Sequence, residues 1–294
     1  MGFLRGFSIA MGANVILFVL SFLNNKLIFM ALGKEENGVY FLVMRFSFFI
    51  ALFIWMGLAV IILPVLLRIT VPYGRHTTNT WGPTLNSRLG WFIMEIPVIV
   101  IFTLLFFFGP LEKSIPVYIF YGTFMLHYFN RVFIFPLRMK SKGKRMPWSI
   151  VILAVFFNIF NGFFNGYWFG YLTPYYSNTW LQDPRFIIGL TLFFVGMYIN
   201  MSSDQKLLNL RSDGKKGYYI PFGGLFKYIS SPNLFGEIIE WLGWAMMSWC
   251  LPSFSFALWT MANLLPRALD HHRWYKRRFD NYPKERKAVI PFIL

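Results

Sequence analysis

The sequence predicts an all-α polytopic membrane protein with seven to eight transmembrane helices and a cap of loops and C-terminal tail. Its 294 residues are 56% hydrophobic and only 14% charged, whereas soluble domains carry roughly 25% charged residues. The apolar residues form blocks near the roughly 20 residues that a helix needs to cross a bilayer. Lysine and arginine are concentrated in alternate connections, which is typical of a chain that crosses a membrane repeatedly.

The candidate spans are eight apolar blocks, at 8–32, 45–67, 89–109, 115–137, 148–171, 185–203, 233–250 and 253–267. Polar residues at 24–26 interrupt the first block, so a bundle of seven spans is the alternative. Only Leu251, Pro252 and Ser253 separate the last two blocks, which predicts a helical hairpin.

The charge distribution predicts the orientation of these spans. If the C-terminal tail is cytoplasmic and the spans alternate, the cytoplasmic pieces hold 22 of the 28 Lys and Arg residues and the opposite pieces hold 4. This excess follows the positive-inside rule and favours eight crossings with both termini in the cytoplasm. The segment 204–232 and the basic tail then form the cytoplasmic cap.

Several functions are disfavoured by what the sequence lacks. The net charge is +16, but the basic residues lie between apolar blocks and form no single patch, so nucleic-acid binding is not expected. Cys250 is the only cysteine, which excludes an intrachain disulfide. Glycine-rich nucleotide motifs and Gly-x-Ser-x-Gly are absent, and no internal repeat indicates a transporter built from inverted halves.

Ionisable side chains within apolar blocks are the main candidates for function, because burying them in lipid is costly. Glu95 lies early in the third block, and His127, Tyr128 and Arg131 lie within the fourth. His127 and Arg131 share a helix face. A buried arginine needs an anion, so Glu95, Glu237 or a phosphate is expected beside Arg131; a structural ion pair is the alternative interpretation.

Polar residues also end the sixth block and begin the seventh. Asn200 and Asp204 are spaced i, i+4, and Asn233, Glu237 and Glu240 follow a proline in a predicted first helical turn. Two such stripes can line one pocket. Carboxylates near a helix N-terminus are also explained by the helix dipole, so Glu237 and Glu240 need not both be functional.

The tail is rich in arginine, histidine and tyrosine from Arg267 to Tyr275. His271 and His272 are adjacent and point about 100° apart on a helix, so a metal site is not expected. An anionic aromatic ligand such as a nucleotide fits this composition, whereas contact with anionic lipid is the simpler alternative.

Several stretches resemble successive motifs of the steroid 5-alpha-reductase family, in order from about residue 45 to the end. The most specific is Asn-Leu-Phe-Gly-Glu-Ile-Ile-Glu-Trp at 233–241. The others lie at 73–76, 91–97, 126–131, 196–200 with Asp204, 220–226, 282–284 and 286–292.

This resemblance implies NADPH-dependent reduction of the C4–C5 double bond of a 3-oxo-Δ4 steroid. Glu95 and Tyr128 match the catalytic residues that hold the substrate carbonyl oxygen, and Trp91 matches a further substrate contact. The resemblance also implies a cytoplasmic nucleotide-binding cap, whose NADPH contacts are Tyr73, Asn200, Asp204, Arg211, Tyr218, Asn233, Glu237, Arg267, His271 and Tyr275. Met94, Phe135, Tyr219 and Asp270 depart from familiar mammalian members.

The expected organisation is an N-terminal extension at 1–44 and a reductase domain at 45–294. The substrate pocket is expected mainly within 45–140 and the NADPH site within 195–294. The expected partners are a lipophilic steroid-like substrate and membrane lipid, with the protein a monomer in the inner membrane of a bacterium or the endoplasmic reticulum of a eukaryote. Alternatives are an enoyl-CoA or polyprenol reductase, an isoprenylcysteine-type methyltransferase or a transporter.

Overall fold

A computed structural model describes residues 34–71, 81–139, 143–210 and 217–294. Helices dominate them, as the sequence predicts, and one pair of short strands is present. In chain order the elements are α1 Lys34–Arg68, β1 Thr84–Asn86, α2 Ser87–Phe108, α3 Ile115–Phe129, α4 Phe135–Arg138, β2 Arg145–Pro147, α5 Trp148–Tyr167, α6 Pro184–Asn209, α7 Pro232–Ser248 and α8 Leu251–Arg278. Two π-helical turns at Asn130–Ile134 and Trp168–Leu172 and two 3-10 turns at Asn178–Gln182 and Gly224–Lys227 complete the described elements.

The protein is an all-α membrane protein. Four of the described helical stretches are long and apolar enough to span a bilayer, at Phe41–Arg68, Ser87–Phe108, Trp148–Leu172 and Pro184–Asn209. The blocks predicted at 115–137 and 233–250 also match helical stretches, although α3 has 15 residues before its π turn and α7 has 17. The total number of crossings stays a prediction, and the block at 8–32 lies outside the described residues.

The last two helices differ in detail from the predicted hairpin. The chain turns at Trp249 and Cys250, about two residues earlier than expected, because Trp249 takes a left-handed conformation with φ of 45°. Helix α8 then continues to Arg278, eleven residues beyond the predicted span, and so carries much of the basic tail. Two compact units are distinguished, Met1–Ile54 and Trp55–Leu294, with their boundary inside α1. The division into an extension at 1–44 and a reductase domain at 45–294 stays a prediction.

Glycines bring α2 and α5 into close contact. A Cβ atom on Gly162 would lie 3.1 Å from the carbonyl oxygen of Val98, and one on Gly166 would lie 2.9 Å from Cα of Phe102. The matching order of these contacts along both helices shows that α2 and α5 run in parallel. Small residues at four-residue spacing allow backbones to approach in this way in membrane proteins.

Helices α6 and α7 are packed in the same manner but run antiparallel. Gly196 faces the backbone of Gly236, and Gly189 faces that of Gly243. From one contacting pair to the next, the residue number falls on α6 as it rises on α7, so the two helices are antiparallel. The close approach sets Asn200 of α6 beside the beginning of α7, where its side-chain amide donates to the carbonyl oxygen of Asn233 at 3.0 Å.

The aromatic core lies where α3, α7 and α8 meet. Trp241 and Trp244 of α7 are almost fully buried, and the Trp244 indole donates to the Phe120 carbonyl oxygen at 3.0 Å. The Trp241 ring lies 4.3 Å from the Phe256 ring, centroid to centroid. These large rings fix the inner face of α3, on which His127 and Tyr128 lie.

The two strands pair antiparallel, with Thr84 opposite Pro147 and Asn86 opposite Arg145. Each strand runs directly into a helix, β1 into α2 and β2 into α5. This ribbon therefore joins the two glycine-packed helices at their N-terminal ends. Three-residue strands in distant loops give no periodic signal, so the sequence did not predict them.

Candidate active site

Tyr128 lies in a closed aromatic environment with only 4% of its surface exposed. Its ring centroid is 4.7 Å from that of Phe124 and 5.8 Å from that of Trp241. Its hydroxyl oxygen accepts a hydrogen bond of 3.1 Å from the side-chain amide of Asn161 on α5. The phenol hydrogen is thereby left for another acceptor, since a hydroxyl both donates and accepts.

Glu95 and Glu237 lie on either side of the Arg131 guanidinium. Arg131 Nε is 4.0 Å from Glu95 Oε1, and Arg131 Nη2 is 3.8 Å from Glu237 Oε2. The sequence predicted these two carboxyl groups as partners of Arg131. The guanidinium also lies over the ring of Trp91, 4.5 Å from its centroid, which adds a cation–π contact.

His127 forms a separate pair with Glu240. His127 Nδ1 is 2.8 Å from Glu240 Oε1, and both side chains are buried. The His127 ring also packs against Trp241, with centroids 4.6 Å apart. Glu240 thus meets a histidine of another helix, which explains its burial without a role in ligand binding.

Four of the expected cofactor contacts come together where α6 ends and α7 begins. The Asn200 amide reaches Glu237 Oε2 at 3.4 Å, and the Asn233 amide donates to Asp204 Oδ1 at 2.9 Å. Because Glu237 also approaches Arg131, this amide–carboxylate cluster is continuous with the group that contains Glu95. The two polar stripes that the sequence predicted to line one pocket thus contact each other, whereas their role in cofactor binding stays a prediction.

A second group of expected cofactor contacts lies on α8. Arg267 and His271 line a small cavity with Asp270, Asn263 and the apolar residues Leu66, Ile69, Val71 and Pro266. His271 Nδ1 is 3.5 Å from Ser231 Oγ, at the beginning of α7, which links this cavity to the first group. The cavity thus places charged and polar groups beside apolar walls.

The remaining expected contacts are divided between aromatic packing and undescribed segments. Tyr218 packs edge-on against Trp274 at 5.0 Å, and Tyr275 is buried in a stack with Tyr282 at 5.3 Å. Tyr275 is therefore packed among other rings in this structure. Tyr73 and Arg211 lie outside the described residues.

Sequence reasoning missed the buried amides of α5. Asn158 donates to Glu95 Oε2 at 3.1 Å, and Asn161 donates to the Tyr128 hydroxyl oxygen at 3.1 Å. The signal was present, since an apolar block that contains Asn158, Asn161 and Asn165 is unusual. It was missed because the block at 148–171 contains no charged residue to draw attention to it, whereas amides in lipid also need partners.

The fold and this cluster define an α-helical membrane protein with a buried site of carboxyl, phenol, amide and guanidinium groups. A family model described as 3-oxo-5-alpha-steroid 4-dehydrogenase matches residues 144–294. Steroid 5-alpha-reductase DET2 of Gossypium hirsutum is 42% identical over 76% of this chain and 88% of its own length.

Mammalian relatives are similarly close. The 3-oxo-5-alpha-steroid 4-dehydrogenase 1 of Bos taurus is 38% identical over 81% of this chain and 93% of its own length. The Homo sapiens protein of the same name is 39% identical over 75% of this chain and 85% of its own length. The chain belongs to the 3-oxo-5-alpha-steroid 4-dehydrogenase family.

Proposed function

We propose that this protein reduces the C4–C5 double bond of a 3-oxo-Δ4 steroid with NADPH. The observation that carries the proposal is the support of Glu95 and Tyr128 by two neighbouring amides of one helix, Asn158 and Asn161. A carboxyl group and a phenol held in this way are suited to bind the same carbonyl oxygen. Membership in the family supports the choice of a steroid.

Tyr128 supplies one hydrogen-bond donor to the substrate ketone. Its oxygen already accepts from Asn161, so its hydrogen is available to the ketone oxygen. Polarisation of that carbonyl makes the β-carbon electrophilic. Negative charge then develops on the oxygen, and donors that are already in position lower the activation barrier most at this point.

Glu95 supplies the second donor when it carries a proton. Arg131 contributes one positive charge between Glu95 and Glu237, so this group of three is neutral only if one of the two carboxyl groups is protonated. A net charge within a lipid-embedded bundle is costly. We therefore expect one proton to be retained by the group, and Glu95 to present it to the ketone.

The cofactor would be held at the α6–α7 end and on α8. NADPH supplies a hydride when it is bound. Asn200, Asn233 and Asp204 suit its amide and hydroxyl groups, and Arg267 suits phosphate because a guanidinium donates several hydrogen bonds. We propose that the cofactor also contacts Arg211, Tyr73, Tyr218, His271, Glu237 and Tyr275.

The first prediction concerns the two catalytic side chains. We expect Glu95→Gln and Tyr128→Phe each to lower kcat by about 100-fold. Tyr128→Phe removes a donor to the developing oxyanion, whereas Glu95→Gln replaces the O–H of a carboxylic acid by the much less acidic N–H of an amide. The affinity for NADPH should be retained, because neither side chain is assigned to the cofactor. Steroid turnover and NADPH titration of purified protein in detergent measure the two effects.

Tyr121→Phe is the matched control for Tyr128→Phe. Tyr121 also lies on α3, but its hydroxyl meets Thr103 Oγ1 at 3.0 Å and lies outside the cluster. Full turnover in both Glu95→Gln and Tyr128→Phe would reject the assignment. A panel of 3-oxo-Δ4 steroids, enoyl thioesters and polyprenols tests the substrate class. NADPH oxidation with only one of the latter two would replace the steroid in the proposal.

A further inference from the structure

Helix α5 carries three buried amides on the face that meets the site. Asn158 and Asn161 are each 3% exposed, and Asn165 is 1% exposed. An amide buried in a helix that crosses lipid is unfavourable unless its donors and acceptors are used. Their bonds therefore indicate what these side chains do.

The bonds of Asn161 run in one direction, towards the Tyr128 phenol. Asn165 Nδ2 donates to Asn161 Oδ1 at 2.9 Å and to the Asn161 carbonyl oxygen at 3.0 Å. This occupies the Asn161 oxygen and turns its NH2 group towards Tyr128. Successive hydrogen bonds of this kind polarise one another, so the Tyr128 hydroxyl becomes a stronger donor.

Asn158 supports Glu95 in a comparable way. Its Nδ2 donates to the Met94 carbonyl oxygen at 2.6 Å and to Glu95 Oε2 at 3.1 Å. One amide thus contacts both the backbone and the side chain of adjacent residues on α2. The carboxyl plane of Glu95 is fixed relative to the helix that carries it.

The two amides have a fixed position relative to Glu95, because α5 is packed tightly against α2. Gly162 and Gly166 pack directly on the α2 backbone at Val98 and Phe102. Asn158 and Asn161 are three residues apart on this helix and therefore lie on neighbouring parts of one face. Helix α5 thus provides one rigid support for a carboxyl group of α2 and a phenol of α3.

We propose that Asn158 and Asn161 are positioning residues, which hold Glu95 and Tyr128 so that both donors converge on one carbonyl oxygen. The inference rests on the proposed function, since it assumes the catalytic roles of Glu95 and Tyr128. Neither amide touches the substrate in this assignment. Asn165 acts one step further away, by fixing the orientation of Asn161.

The test is a double-mutant cycle between Asn161 and Tyr128. Asn161→Leu keeps a similar volume and removes the donor, and should lower kcat about tenfold with less than a twofold change in steroid KM. In the Tyr128→Phe background the same change should have almost no further effect, because the hydroxyl that it supports is gone. Asn158→Leu in the Glu95→Leu background forms the second cycle, because Glu95→Gln would retain an acceptor for the Asn158 amide.

Thr123→Val is the matched control, because Thr123 is a buried polar residue of α3 whose hydroxyl, among the described residues, donates to its own helix, at the carbonyl oxygens of Ile119 and Phe120. Its kcat should be unchanged. Asn165→Ala leaves Asn161 and Tyr128 in place and should lower kcat about threefold, which keeps the inference testable if Asn161→Leu does not fold. NADPH affinity and thermal midpoint report folding in each variant.

The outcomes distinguish the positioning role of Asn161 from the catalytic role of Tyr128. If Tyr128→Phe is impaired but the loss from Asn161→Leu is the same in both backgrounds, Asn161 does not act through Tyr128 and the inference is wrong. An unchanged kcat in Asn161→Leu would also show that the inference is wrong. Full activity of Tyr128→Phe itself would reject the catalytic role of Tyr128 and, with it, the positioning role of Asn161.

Discussion

At the scale of single residues, the buried charges are organised by pairs that cross between helices. Arg131 of the π turn meets carboxyl groups of α2 and α7, whereas His127 of α3 meets Glu240 of α7. Removing one member of such a pair leaves the other desolvated without compensation, which costs more than the pair contributes when intact. These contacts therefore make α3 and α7 mutually dependent.

The second prediction concerns Glu240, whose side chain is fully buried. Glu240→Leu leaves His127 Nδ1 without an acceptor and should lower the free energy of unfolding by about 2–4 kcal/mol. Glu240→Gln retains an acceptor oxygen and should be milder. Thermal midpoints in detergent distinguish the two variants. A midpoint of Glu240→Leu equal to that of the unchanged protein would show that the His127–Glu240 bond does not stabilise the bundle.

At the scale of elements, the site depends on two close helix pairs. Glycines allow α2 to meet α5 and α6 to meet α7 with their backbones in contact. The first pair holds Glu95 beside Asn158, and the second holds Asn200 beside Asn233 and Glu237. Any side chain larger than hydrogen at these contacts would force the helices apart, because backbone atoms cannot yield as flexible side chains do.

The third prediction tests the α6–α7 pair. A Cβ atom on Gly196 would overlap the backbone of Glu240 and Gly236. Gly196→Val should therefore lower the thermal midpoint by about 5 °C or more and weaken NADPH binding. Gly122→Ala on α3 is the control, since a Cβ atom there meets nothing within 4 Å. A normal midpoint and normal NADPH affinity in Gly196→Val would contradict the close packing.

At the scale of the whole molecule, the C-terminal tail returns to the helices through Ser230. Ser230 Oγ is 2.6 Å from both His272 Nδ1 and the Tyr282 hydroxyl, so it joins the loop before α7, helix α8 and the tail. Burial, together with the nearby charges of Lys276 and Lys287, lowers the pKa of His272 to about 4. His272 is therefore neutral in the folded protein at pH 7.

The fourth prediction follows from this lowered pKa. An unfolded histidine binds a proton near pH 6.5, so the unfolded state takes up more protons than the folded state between about pH 6.5 and 4. Stability should consequently fall as the pH drops from 7 to 5. We expect His272→Gln to reduce this fall, as measured by thermal midpoints at each pH. An identical pH dependence in both proteins would exclude His272 as its source.

Much of this fold follows from the sequence, because hydropathy reports directly where helices lie in lipid. The blocks at 89–109 and 148–171 agree with α2 and with α5 and its π turn to within about two residues. The end of α8 was missed because polar residues after Arg267 end the apolar block without ending the helix. Hydropathy reports apolar segments, and it carries no information about a helix that continues beyond one.

The candidate site was predictable only in part. Charged residues such as Arg131 and Glu237 are conspicuous in apolar blocks, and their contacts followed from charge complementarity. The choice of which acid pairs with His127 depended on packing between α3 and α7, which no spacing rule supplies. The amides of α5 show the same limit, since their partners lie on helices far away in sequence.

The π turn at Asn130–Ile134 has a consequence for chain length. A π turn closes over one more residue than an α turn, so it absorbs an extra residue while the helix on either side keeps nearly the same direction. An extra residue that was not absorbed in this way would rotate everything after it by about 100°. Tyr128 and Phe135, which lie on either side of the turn, therefore keep nearly the neighbours that an uninterrupted α-helix one residue shorter would give them.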